Sequence, residues 1–109
     1  MDINQFLEEL KVLKIEIEKI VEKIENNASV GIKEMPSLLK KIQTFLPDWF
    51  YFIEQTQVGE KQVILDILED IINGVNARDG GVLADALLFG LGELIETYEL
   101  VINEALYGE

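Results

Sequence analysis

The stretch Asp79–Tyr107, DGGVLADALLFGLGELIETYELVINEALY, decides the fold. Asp79 is of the type that caps a helix through its carboxylate, and an apolar register runs on from it for almost the whole stretch. Ala84, Leu87, Leu91, Leu94, Tyr98, Val101 and Ala105 recur at alternating steps of three and four, which is the period of an α-helix. Leu88, Ile95 and Ile102 widen that stripe on one side. A helix with so broad an apolar face needs other helices to cover it.

The rest of the chain supplies them. Ile3, Phe6, Leu10, Leu13, Ile17, Ile20 and Ile24 repeat in threes and fours, with Asp2 and Gln5 at capping-box spacing. Glu8 with Lys11, and Glu16 with Lys19, stand where outer-face ion pairs form. Asn26-Asn27-Ala28-Ser29 is the first break. Ala28, Ile32, Met35, Leu39, Ile42, Leu46, Trp49 and Ile53 then hold a second register straight through Pro36 and Pro47. Had one helix ended at Pro47 and another begun, the register would have no reason to continue. The spacing therefore predicts one helix over about 28–56, bent near Pro47 and convex to solvent. Two helices meeting at Pro47 are the alternative. Gln55-Thr56-Gln57-Val58-Gly59 is the second connection, with Gly59 as a helix stop and Glu60 suited to the start of the next helix. Ile64, Leu68, Ile71 and Val75, flanked by Leu65, Ile67 and Ile72, mark that third helix. Asn76-Ala77-Arg78 leads into the last one. Short links between four long amphipathic helices predict a single all-α domain over residues 1–109, a four-helix antiparallel up-down bundle.

Composition narrows the chemistry. The chain of 109 residues has no cysteine, so it holds no disulfide frame and no thiolate metal site. It has no histidine, which removes the commonest metal ligand and the usual neutral-pH acid–base group. A formal charge of −12 disfavours direct nucleic-acid binding, because phosphate backbones are repelled. Asp2, Glu8 and Glu9 near the start do not read as the basic region of a signal peptide. The longest uncharged apolar run of the last helix, Ala86–Gly92, is far short of a membrane span. A cytoplasmic protein without a membrane span is expected.

Catalytic signals are thin. A carboxylate-bridged metal centre in a bundle uses Glu-x-x-His, which this chain lacks. Asp79–Asp85 lacks the ligand order and closing glutamate of a calcium loop. Gly90 and Gly92 lie inside a helix and follow no strand, so they are not a phosphate-binding turn. No catalytic, cofactor-binding or metal-ligating residue is predicted, and no cofactor.

Charge and stray apolar residues point to partners instead. Residues 1–41 carry eight acids and seven bases, whereas residues 42–109 carry thirteen acids and only Lys61 and Arg78 as bases. Glu93, Glu96 and Glu99 lie outside the last stripe. Asp85 is the single charge in Val82–Gly92; it suits the helix dipole, a pairing with Arg78, or a partner. Phe89 and Leu100 project away from the stripe of the last helix, as do Val12, Ile15 and Tyr51 on theirs. Several such residues on one chain mark an interface or fill a second internal seam. Ala86 and Gly90, beside Phe89, would let a neighbouring helix approach closely. The candidate partner-binding residues are thus Glu93, Glu96, Glu99, Phe89 and Asp85. The sequence reads as a non-enzymatic interaction or adaptor protein. It is expected to self-associate as a homo-oligomer through a surface that includes Phe89, or to dock a basic protein partner through its acidic second half. The alternative is a carboxylate-based enzyme or metal-binding helical bundle.

Asp79–Leu88 also resembles the "D…LLADLLEYEL" run of small uncharacterised acidic helical proteins of Gram-positive bacteria. Leu83-Ala84-Asp85 is the matching core, and Phe89-Gly90 departs from the tyrosine and acid of that run. The resemblance implies a bacterial cytoplasmic helical protein and carries no site residues.

Overall fold

A computed structural model describes residues 2–108 of the chain. Helices α1 (Ile3–Asn26), α2 (Ala28–Thr56) and α3 (Lys61–Ala77) precede a fourth rod. That rod is α4 (Gly80–Asp85), a π-helical segment (Ala86–Gly92) and α5 (Glu93–Tyr107), joined without a break in helical backbone. No strand occurs among the described residues. The domain is an elongated all-α bundle of 44 × 23 × 20 Å.

Local sequence sets the ends. The Asp2 carboxylate accepts from the Gln5 amide at 2.8 Å, and the Asp79 carboxylate accepts from the Val82 amide at 3.1 Å. Asn27 alone separates α1 from α2. The stop of α2 is Gln57 at φ 60°, not Gly59, which lies two residues further on at φ 82°. Pro36 and Pro47 are both exposed and both lie within one continuous α2, which spans the limits that register continuity predicts.

Neighbouring helices run in opposite directions, as their contacts show. From the α1–α2 turn outward, Ile24 meets Gly31, Lys23 pairs with Glu34 at 2.8 Å, and Glu16 pairs with Lys41 at 3.2 Å. Farther out, Phe6 stacks between Phe45 and Phe52. Glu16 therefore bridges helices rather than pairing with Lys19, while Glu8 does sit near Lys11, at 3.8 Å. Along α3 and the fourth rod, Gly74 meets Leu83 and Ile67 meets Gly90. Helix α1 packs closely on both α2 and the fourth rod, and the fourth rod on α3; of the helices that follow one another in the chain, α2 and α3 meet least.

The buried stripes lie beside the expected ones. On α2 they centre on Gly31, Met35, Leu38, Ile42, Phe45, Trp49 and Ile53, so Ile32, Leu39 and Leu46 are flanking and half-buried, and Ala28 is exposed. On α3 only Ile64, Ile71 and Gly74 are buried. On the fourth rod the centre is Leu83, Leu87, Leu91, Ile95, Tyr98 and Ile102. Ala84, Leu94 and Val101 are half-buried, and Ala105 is exposed. The cause is the π segment, in which the Glu93 amide reaches back five residues to the Leu88 carbonyl. In α geometry a four-residue step overruns one turn by about 40°, so three in succession would swing a side chain by about 120°. The wider π turn absorbs that excess and keeps Leu83, Leu87, Leu91 and Ile95 in one line.

The α1–α2 contact is the tightest. A Cβ on Gly31 would stand 2.7 Å from the Ile24 backbone nitrogen and 2.9 Å from its Cα, atoms that cannot rotate away. Gly31→Ala should force the two helices apart and cost about 1–3 kcal/mol, or more. Urea denaturation of variant and wild type checks this. Conversely Pro47→Ala, on the exposed side of α2, should raise stability by up to about 3 kcal/mol in the same assay.

Candidate docking site

Asp85, Phe89 and Glu93 follow one another at four-residue intervals on the fourth rod and all three are exposed. Because the π segment winds more slowly than an α-helix, this spacing keeps them in a single outward row. Phe89 stands between the two acids with 63% of its surface in solvent. Thr97, Leu100 and Glu104 continue outward along α5, and Leu100 is also 63% exposed. The whole fourth rod, Gly80–Tyr107, holds five acids and no base.

Glu96 and Glu99 are set apart from this row. They lie on the flank that faces α1, where Glu96 pairs with Lys14 at 3.0 Å. Glu99 is half-buried, and its Oε1 is enclosed without a hydrogen-bond partner. The expected set of Glu93, Glu96 and Glu99 as one solvated face is therefore split. Glu93 joins Asp85 and Phe89, while Glu96, still exposed, and Glu99 belong to an interhelical cluster around Lys14. Lys14 was not legible as their partner, since nothing local links residues on the first and last helices. The Glu96 carboxylate beside it holds the Lys14 ammonium above the usual lysine range; burial opposes this, and Glu99 and Glu18 add to it.

Two other expectations resolve differently. Arg78 makes no ion pair with Asp85; it is the left-handed cap of α3, at φ 54°. Gly90 does admit a close neighbour, but that neighbour is α3 of the same chain: a Cβ there would stand 3.2 Å from the Ile67 side chain. Val12, Ile15, Tyr51, Phe89 and Leu100 are all exposed, so none fills an internal seam.

Beyond the row, at the level of Tyr98, lies an aromatic core. Trp49 is fully buried, with Phe45 and Tyr98 at ring distances of 5.7 and 5.3 Å. The Tyr98 hydroxyl donates to the Val58 carbonyl at 2.9 Å and packs on Gly59, which fastens the α2–α3 connection to α5. Gly59 is held at φ 82°, where a side chain would also run into that hydroxyl. Burial pushes the Tyr98 phenol above its ordinary value. The nearby Trp49 indole N–H works weakly against this, without being aligned for a hydrogen bond.

No family model, curated protein or solved structure matches this chain. Among the described residues, no charged residue is buried and no three acids gather as a metal-holding group. No helix is long and apolar enough to cross a membrane.

Tyr98 is a group whose pKa is raised on folding, so the stability it contributes is full below the ordinary value of 10.0 and is lost as pH climbs through the folded value. Lys14, raised above 10.5, acts in the same direction. Stability should thus fall in alkali above about pH 10. Tyr98→Phe should cost about 1 kcal/mol at neutral pH through the lost bond to Val58, and should flatten the alkaline decline. Guanidinium titrations across pH test both parts.

Proposed function

We propose that this is a non-enzymatic interaction protein that docks a basic partner through the outward row of the fourth rod. What supports the reading best is Phe89, exposed in the middle of a row whose other members at that level, Asp85 and Glu93, are acids. An aromatic anchor contributes contact area, and flanking acids steer and orient a cationic ligand. The π segment also bears on this. Such segments occur frequently at functional sites, and here it turns the largest apolar side chain of the segment outward. The partner chemistry that fits is a helix or loop with lysines or arginines on either side of an apolar residue. Retaining five acids without a base along this rod gives a negative field that extends over about a Debye length, 8–10 Å at ordinary ionic strength.

A cationic amphipathic peptide with one apolar row serves as the probe. Immobilised protein should retain it at low salt and release it as salt rises. Phe89→Ala combined with Asp85→Asn and Glu93→Gln should abolish retention while the circular dichroism spectrum stays unchanged, because all three side chains are exposed. By contrast Glu96→Gln should disturb the Lys14 pair and leave retention largely intact. Equal retention by wild type and triple variant at every salt concentration would dismiss the row as a docking site.

A further inference from the structure

We propose that the chain binds a small phosphorylated organic molecule in a cavity between the start of α2 and the end of α3. This proposal is independent of the basic-partner reading, which concerns the outward row of the fourth rod. The cavity measures about 510 Å³, within the range of small-molecule sites. Lys33 on α2 and Arg78 at the end of α3 both line it, and no acid does, in a chain with 21 acids and nine bases. Five of those bases, Lys11, Lys14, Lys23, Lys41 and Lys61, stand in ion pairs. Lys19, Lys33, Lys40 and Arg78 are without one among the described residues. Two of these four cations thus share one cavity.

The acids next to these two cations in the chain are engaged elsewhere. Glu34 pairs with Lys23 at 2.8 Å, and the Asp79 carboxylate caps the Val82 amide at 3.1 Å. The cavity takes in the first turns of α2 and the last turn of α3, whose dipole ends are opposite in sign and offset each other. The side-chain cations therefore set the local potential, an island of positive charge on a chain of −12. Two cations match a phosphate monoester, which carries a charge of about −1.5 to −2 at neutral pH, and the guanidinium fork suits its oxygens. Ser29 and Asn76 add a hydroxyl and a carboxamide to the same walls as neutral donors. Ile32 on α2 and Val75 on α3, both half-buried, supply the apolar wall for the organic part.

Amide NMR spectra of the isotope-labelled protein, titrated with phenyl phosphate at low ionic strength, test it. Shifts should centre on Ser29, Lys33, Asn76 and Arg78 and saturate with a dissociation constant of about 1 mM or below. Lys33→Gln and Arg78→Asn should each weaken binding by about tenfold or more, since each removes a charge-assisted contact. Asn suits the left-handed backbone of Arg78, so the second variant keeps the end of α3. Lys33→Arg should bind nearly as wild type does, and so should Lys40→Gln, whose lysine lies outside the cavity. Inorganic phosphate, which lacks the organic part, and benzoate, which carries one charge, should each bind more weakly than phenyl phosphate. Binding should fall as pH drops through about 6, where the monoester takes up its second proton. Shifts that do not saturate, or that centre on other residues, overturn the proposal. So does either charge-removing variant if it binds as wild type does while its circular dichroism is unchanged. Benzoate bound as tightly as phenyl phosphate overturns the phosphate assignment, and inorganic phosphate bound as tightly overturns the organic one.

Discussion

The winding of the fourth rod is the constraint on which the rest depends. Leu83, Leu87, Leu91 and Ile95 must all face inward, yet they are spaced by four, which an α-helix cannot sustain over three steps. The π turn at Ala86–Gly92 resolves this by taking in one more residue than an α turn would. Everything that touches the rod then falls into place. Leu83 lies against Gly74, Gly90 against Ile67, and Tyr98 under the α2–α3 connection. The same winding turns Phe89 outward between Asp85 and Glu93. Fold and candidate site are thus two sides of one local irregularity.

Close backbone approach follows from small residues at chosen contacts. Gly31 lets α2 lie directly on α1 after a connection of a single residue, Asn27. With α1 bound closely to α2 on one side and to the fourth rod on the other, and α3 drawn to the fourth rod by Gly74 and Gly90, the α2–α3 side is left the most open. The apolar groove there, lined by Leu39, Ile42, Leu46 and Leu68, is a consequence of where the glycines are. Its uncharged lining contrasts with the acidic outer surface of the fourth rod, so the molecule presents two faces of different chemistry.

Much of the fold could be read from periodicity. The helices, the span of α2, the Asp2 and Asp79 caps and the passage of α2 through two prolines follow from register and local chemistry, whereas Asn26, Ala28, Ser29, Asn76 and Ala77, which read as connections, lie inside helices. At an α period the register of the fourth helix alternates threes and fours, which places the stripe on Ala84, Leu94 and Val101. Its true line runs in fours, because a pattern matched to an α period contains no signal for a π turn. That period also puts Leu88, Ile95 and Ile102 on a flank, whereas Ile95 and Ile102 lie at the centre. For the candidate site, Asp85, Phe89 and Glu93 were legible as residues off the stripe. The separation of Glu96 and Glu99 from them was not, since it depends on Lys14 arriving from a helix about eighty residues earlier. Likewise the stop at Gln57 was masked by a better candidate, Gly59, nearby.

The most direct test of this account is the stability of a chain from which Phe89 alone is deleted. If the π turn accommodates one extra residue, removing it returns the rod to α winding. Leu83, Leu87, Leu91, Ile95, Tyr98 and Ile102 would then recur in fours and threes with every buried side chain still facing the core. Urea denaturation should show stability within about 1 kcal/mol of wild type, since an exposed residue and no packing is lost. Deletion of Leu100, equally exposed but in regular α-helix, rotates all that follows by one residue and should destabilise the chain markedly. Equal and severe destabilisation by both deletions would contradict the account.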